Sequence, residues 1–86
     1  MLLNRGKDLL SAGDLSAARL LFHRAAEASS AEAALALAST YDPGYLAAHN
    51  VLGVTGNEEM ARTWYQRAAD LGSPEAARAL AHLGAR

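Results

Sequence analysis

Three histidines, nine acidic side chains and one adjacent Trp-Tyr pair are the groups of this chain whose types could do chemistry. His23 and Glu27 stand four residues apart, a spacing that puts an imidazole and a carboxylate on one helical face, where both can reach a metal ion. The same pair is common by chance on a solvated helix, and it is read here as surface. No His-Glu-x-x-His motif, phosphate-binding glycine loop or nucleophile elbow occurs. Gly53-Val54-Thr55-Gly56 is glycine-bearing but has no lysine and no preceding strand. With no cysteine, disulfides and thiolate metal sites are excluded, while either a reducing or an oxidising compartment stays open. No catalytic, cofactor-binding or metal-binding residue is assigned, and the chain is expected not to be an enzyme.

The elements that must position any remaining site follow from composition and periodicity. At 86 residues the chain is one small domain. It has 21 alanines, two valines and no isoleucine, which favours closely packed helices over a sheet. Eight basic against nine acidic side chains give a net charge of −1, and the basic ones are scattered, so nucleic acid and anionic membranes are not expected partners. No apolar run approaches the roughly 20 residues of a membrane span, and Met-Leu-Leu is followed at once by Asn4, Arg5 and Lys7 instead of an apolar signal core. The first helix has no cap before it, so the chain reads as a possible piece of a longer protein.

Five helices are expected, over about 2–12, 15–28, 31–40, 57–71 and 74–83. Gly13 ends the first and Asp14 caps the second, whose buried side is Leu15, Ala18, Phe22, Ala25 and Ala26, with Arg19, His23, Arg24 and Glu27 mostly outside. Ser29-Ser30 breaks the chain before the third, and Tyr41-Asp42-Pro43-Gly44 stops it. Tyr45–Asn50 is expected to form at most a short helical turn, and 51–55 a loop. Asn57 caps the fourth helix with Glu58 and Glu59 in its first turn. Met60, Trp64, Ala68 and Leu71 share one face, with Ala61 and Tyr65 beside them, and Gly72 suits the left-handed C′ position. Ser73 and Pro74 start the last helix. Trp64 is expected to be a core anchor, with truncation to alanine costing about 3–5 kcal/mol.

A shift of 43 residues lays Gly13–Tyr41 over Gly56–Gly84, pairing Gly13 with Gly56, Arg19 with Arg62, Arg24 with Arg67, Ser30 with Ser73, Glu32 with Glu75 and Leu37 with Leu80. A repeated helix pair is the mark of a helical solenoid. Gly6, Leu9, Ala18, Phe22 and Ala25 resemble the spacing of a tetratricopeptide repeat, although Leu2, Arg5 and Ser30 replace that family's tryptophan, leucine and proline. Ala31-Glu32-Ala33, Leu37-Ala38, Tyr41, Gly53-Val54, Ala61, Trp64-Tyr65, Arg67-Ala68-Ala69, Gly72 and Ala76 resemble the related Sel-one-like repeat, with extra residues between Tyr41 and Gly53. This resemblance implies an all-α fold, a short α-solenoid of antiparallel helix pairs. It assigns the Gly53–Gly56 stretch to a turn and, with the composition, suggests a bacterial origin, in either cytoplasm or periplasm.

What the resemblance implies for function is protein or peptide binding. In such solenoids the first helix of each pair lines a concave face, which by position gives Leu3 and Lys7, then Glu32, Leu35 and Ser39, then Glu75, Arg78 and His82. Leu35 would be the apolar anchor, against the alternative that these positions are ordinary solvated surface. The insertion at 42–50 offers Tyr45 and His49 as a second site, or Tyr45 folds back over the core. The expected role is a non-enzymatic interaction module, a scaffold that binds a partner through the concave face or the insertion. The competing expectation is self-association within a larger assembly, through the leucine-bearing ends at Leu2, Leu3, Leu9 and Leu10 and at Leu80 and Leu83.

Overall fold

The computed structural model describes residues 2–49, 51 and 55–85. Among these residues the protein is all-helical, with six helices and no strand: α1 (Leu2–Ser11), α2 (Leu15–Glu27), α3 (Ala31–Tyr41), α4 (Pro43–Ala48), α5 (Glu58–Asp70) and α6 (Pro74–Ala85). Asn50 and the Gly53-Val54 turn lie outside the described residues, as does the side chain of Leu2.

Local chemistry sets the helix ends. Asp14, Ser30, Asn57 and Ser73 each accept a hydrogen bond, through a side-chain oxygen, from the backbone N–H three residues on. That satisfies an amide no helical carbonyl can reach. The first, second and fifth helices end alike. Asp14 N–H donates to the Leu9 carbonyl, Ser30 N–H to Ala25 and Ser73 N–H to Ala68, in each case closing a turn through a residue of positive φ. Those residues are Gly13 (φ 86°), Ser29 (φ 70°) and Gly72 (φ 105°). This is the Schellman stop, which glycine adopts without strain and serine does not. Shifting by 43 residues carries Asp14 onto Asn57, Ser29 onto Gly72 and Ser30 onto Ser73, so the sequence repeat is also a repeat of caps.

The expected stop at Asp42-Pro43 is also a start. Asp42 Oδ1 accepts from Gly44 N–H at 2.9 Å, and Pro43 takes the first helical position, where its missing N–H costs nothing. Helix α4 therefore begins at Pro43 and includes Gly44, making a sixth helix where a turn over Tyr45–Asn50 was expected.

Helices pack in chain order: α1 on α2, α2 on α3, α3 on α5 and α5 on α6, with α4 against α3. Alanines let them approach. Ala18, Ala26, Ala33, Ala34, Ala38, Ala61, Ala68 and Ala76 are all fully buried, and Phe22, Leu37, Tyr65 and Leu83 fill the spaces between. At the α1–α2 crossing a Cβ on Gly6 would lie 2.6 Å from the Phe22 ring, so only glycine fits there.

The buried face of α5 is Ala61, Tyr65 and Ala68, so of the expected Met60–Trp64–Ala68–Leu71 face Ala68 is fully buried and the rest of the buried side is rotated onto Ala61 and Tyr65. Met60 and Trp64 are half-buried and Leu71 is exposed. Trp64 is shared between the two core clusters, with His23 edge-on at 5.0 Å. Tyr65 is the core anchor of this helix.

Candidate partner groove

The core alanines bring α1 and α3 near enough for their outward side chains to meet across the top of α2. Lys7 on α1 forms an ion pair with Glu32 on α3 at 2.7 Å, with both side chains at least half exposed. Below this bridge lies a groove of about 410 Å³. Its walls are Lys7, Leu10 and Ser11 from α1 and Glu32, Leu35, Ala36 and Ser39 from α3; Phe22 of α2 forms its floor, and Tyr45 of α4 contributes to its lining. A volume of that order falls within the range of ligand pockets.

Each wall is positioned by local structure. Lys7, Leu10 and Ser11 recur at spacings of three and four, one face of α1. Glu32, Leu35, Ala36 and Ser39 do the same on α3, where the Ser39 hydroxyl donates back to the Leu35 carbonyl at 3.0 Å. Tyr45 is placed by α4, whose start is fixed by Asp42. Its ring stacks on His49, with centroids 4.0 Å apart and 23° between planes, and His49 Nδ1 lies 3.0 Å from the Tyr45 carbonyl oxygen.

Of the ten residues singled out by sequence, Lys7, Glu32, Leu35, Ser39 and Tyr45 line this one groove. His49 braces Tyr45 from outside it. Leu3 is half-buried and packs against both core clusters instead of lining the groove. Glu75 and Arg78 form a loose surface pair on α6 at 3.8 Å, and His82 is exposed on the same helix. None of these three reaches the groove, since α6 packs on α5. Leu10, Ser11 and Ala36 were missed; their spacing from Lys7 and Leu35 was the available signal.

The other reactive side chains are placed as follows. His23 Nδ1 is 3.3 Å from Glu27 Oε1 on the surface of α2. No group of three metal-ligating side chains assembles among the described residues, and no described helix is long and apolar enough to cross a membrane. Arg19 departs from expectation: half-buried, it donates from Nε to Thr40 Oγ1 at 3.2 Å and from Nη2 to the Thr40 carbonyl, while its guanidinium lies 4.0 Å over the Tyr41 ring. It thereby caps the C-terminus of α3, where carbonyls lack helical donors.

Set beside known proteins, the chain shows no significant match to any family model, curated protein or solved structure.

Proposed function

We propose that this protein is a non-enzymatic interaction module of tetratricopeptide/Sel-one-like type, a short α-solenoid that holds a peptide segment of a partner protein in the α1–α3–α4 groove. The convergence of Lys7, Glu32, Leu35, Ser39 and Tyr45 on one groove carries this reading. Those residues were selected by repeat position and by the insertion independently of any contact between them. The groove has an apolar base in Leu10, Phe22, Leu35 and Ala36 and a polar rim in Lys7, Glu32, Ser11 and Ser39, the division found in pockets that take a side chain while hydrogen-bonding its backbone.

The solenoid reading is supported by the packing in chain order and by the repeated caps. The Cα atoms span 30 × 29 × 16 Å, and the short dimension is about what two layers of helices roughly 10 Å apart occupy. The concave face is therefore proposed in a shortened form, made by α1 and α3 and closed at one side by Tyr45, with α6 outside it.

A peptide selected from a random display library on the immobilised protein tests the reading. Ser11 is exposed on the groove wall, so Ser11→Trp fills the groove without touching the core. Binding of the selected peptide should fall at least tenfold in Ser11→Trp and stay unchanged in Arg78→Glu. Equal binding by Ser11→Trp and the unsubstituted protein would remove the groove from consideration.

A further inference from the structure

A second pocket, of about 380 Å³, shares no lining residue with the groove. It is formed by Ser16, Arg19, Leu20 and His23 of α2 with Leu37 and Tyr41 of α3. Three observations set it apart. First, Arg19 is held rigid. Its Nε and Nη2 form a side-on fork on the Oγ1 and carbonyl oxygen of Thr40, itself fully buried, and its flat face rests on Tyr41. Second, among the described residues no carboxylate lies within ion-pair distance of this half-buried cation; the pairs formed are Lys7–Glu32, His23–Glu27 and Arg78–Glu75. A guanidinium has five N–H donors, and two are used, so the end-on pair shared by Nη1 and Nη2 has no acceptor among the described residues. Third, the pocket beside it has an apolar side. Leu20 is 53% exposed, the largest exposure among the large apolar side chains of the described residues, and Leu37 lies at the base.

Partly desolvated charge without a counter-charge is costly, and an arginine already oriented by two hydrogen bonds and a ring face gives up little freedom on binding an oxyanion in bidentate fashion. We infer that this pocket is a binding site for a small amphiphilic anion, with its carboxylate or phosphate on the free edge of Arg19 and its apolar body against Leu20 and Tyr41. The Ser16 hydroxyl, one turn before Arg19 on the same face, supplies a further donor. Repeat position does not explain this arrangement: Arg62, the counterpart of Arg19, is exposed, and Leu83 and Gly84 stand where Thr40 and Tyr41 would be needed.

Titration of the ¹⁵N-labelled protein with benzoate, phenyl phosphate and benzyl alcohol, followed by backbone amide and Arg19 Nε–H resonances, tests the inference. Saturable shifts at Arg19 and around residues 16–20 are expected with at least one of the two anions, and at least tenfold weaker binding with the uncharged alcohol. Phenyl phosphate against benzoate distinguishes a phosphate ligand from a carboxylate one. Leu20→Glu, at an exposed position whose change leaves the fold intact, places a negative charge in the pocket and should weaken the anion about tenfold. No saturable shift with either anion, equal affinity for the alcohol, or unaltered binding by Leu20→Glu would each overturn it.

Discussion

The Tyr65 hydroxyl donates a 2.8 Å hydrogen bond to Asp42 Oδ2, while the other oxygen of the same carboxylate caps α4. Both residues are buried, Tyr65 at 3% exposure and Asp42 at 6%. One carboxylate thus ties α5 to the end of α3 and the start of α4, and through α4 it positions Tyr45 at the groove. The backbone reinforces this junction: Asn57 N–H donates to the Tyr41 carbonyl at 2.7 Å. Gly56 sits so close to Pro43 that a Cβ there would lie 2.8 Å from the proline ring.

Tyr65→Phe keeps the ring and removes the donor. A buried bond to a charged group contributes about 1.5–3 kcal/mol, so chemical denaturation should show a loss of that order with little change in far-ultraviolet circular dichroism. A loss below about 0.5 kcal/mol would mean that the bond does not hold the junction.

Trp64 and Tyr65 should rank oppositely to the order their sizes suggest. Tyr65→Ala empties a buried site and should cost about 3–5 kcal/mol, whereas Trp64→Ala removes a half-buried ring and should cost less than Tyr65→Ala by about 1 kcal/mol or more. Parallel denaturant titrations decide the order; a larger loss for Trp64→Ala would return the core role to the tryptophan.

The two related helix stops predict effects of opposite sign. Ser29 holds φ 70° without being glycine, so Ser29→Gly relieves strain and should raise stability by about 0.5–1 kcal/mol. Gly72→Ala, at φ 105°, should lower it by about 1–2 kcal/mol. Neither should alter binding at the groove, and thermal melts of both variants provide the measurement.

Gly6→Ala brings a methyl to within 2.6 Å of the fully buried Phe22 ring, which must shift to admit it. A destabilisation of about 1–3 kcal/mol is expected. Because Phe22 floors the groove, Gly6→Ala should also weaken the selected peptide, and a melt showing no loss would mean that α1 sits farther from α2 than described.

How much of this was legible in the sequence depends on whether a residue's role was local. Asp14, Asn57, Ser73, Pro74 and Gly72 act within a turn of their own position, and their types announce the caps and stops they form. The small buried positions Ala18, Ala25, Ala61 and Ala68 were equally readable, because alanine at helical spacing permits close approach. Roles set by which helix lies opposite were not readable. Tyr65 rather than Trp64 is the buried ring of α5, with its hydroxyl on Asp42, a partner 23 residues away, while Trp64 packs half-buried against both core clusters. Arg19 turned inward because Thr40 and Tyr41 offer it acceptors and a ring, while for Arg62, its counterpart by repeat position, Leu83 and Gly84 stand in their places. The groove was half legible: repeat position selected Lys7, Glu32, Leu35 and Ser39, but the exclusion of α6 followed from its packing on α5.

The groove assignment is tested most directly by mapping the selected peptide onto the ¹⁵N-labelled protein. The backbone amides of Lys7, Ser11, Leu35, Ser39 and Tyr45 should shift on binding, while those of Glu75, Arg78 and His82 stay in place. Shifts concentrated on α6, with the α1 and α3 walls unmoved, would contradict it.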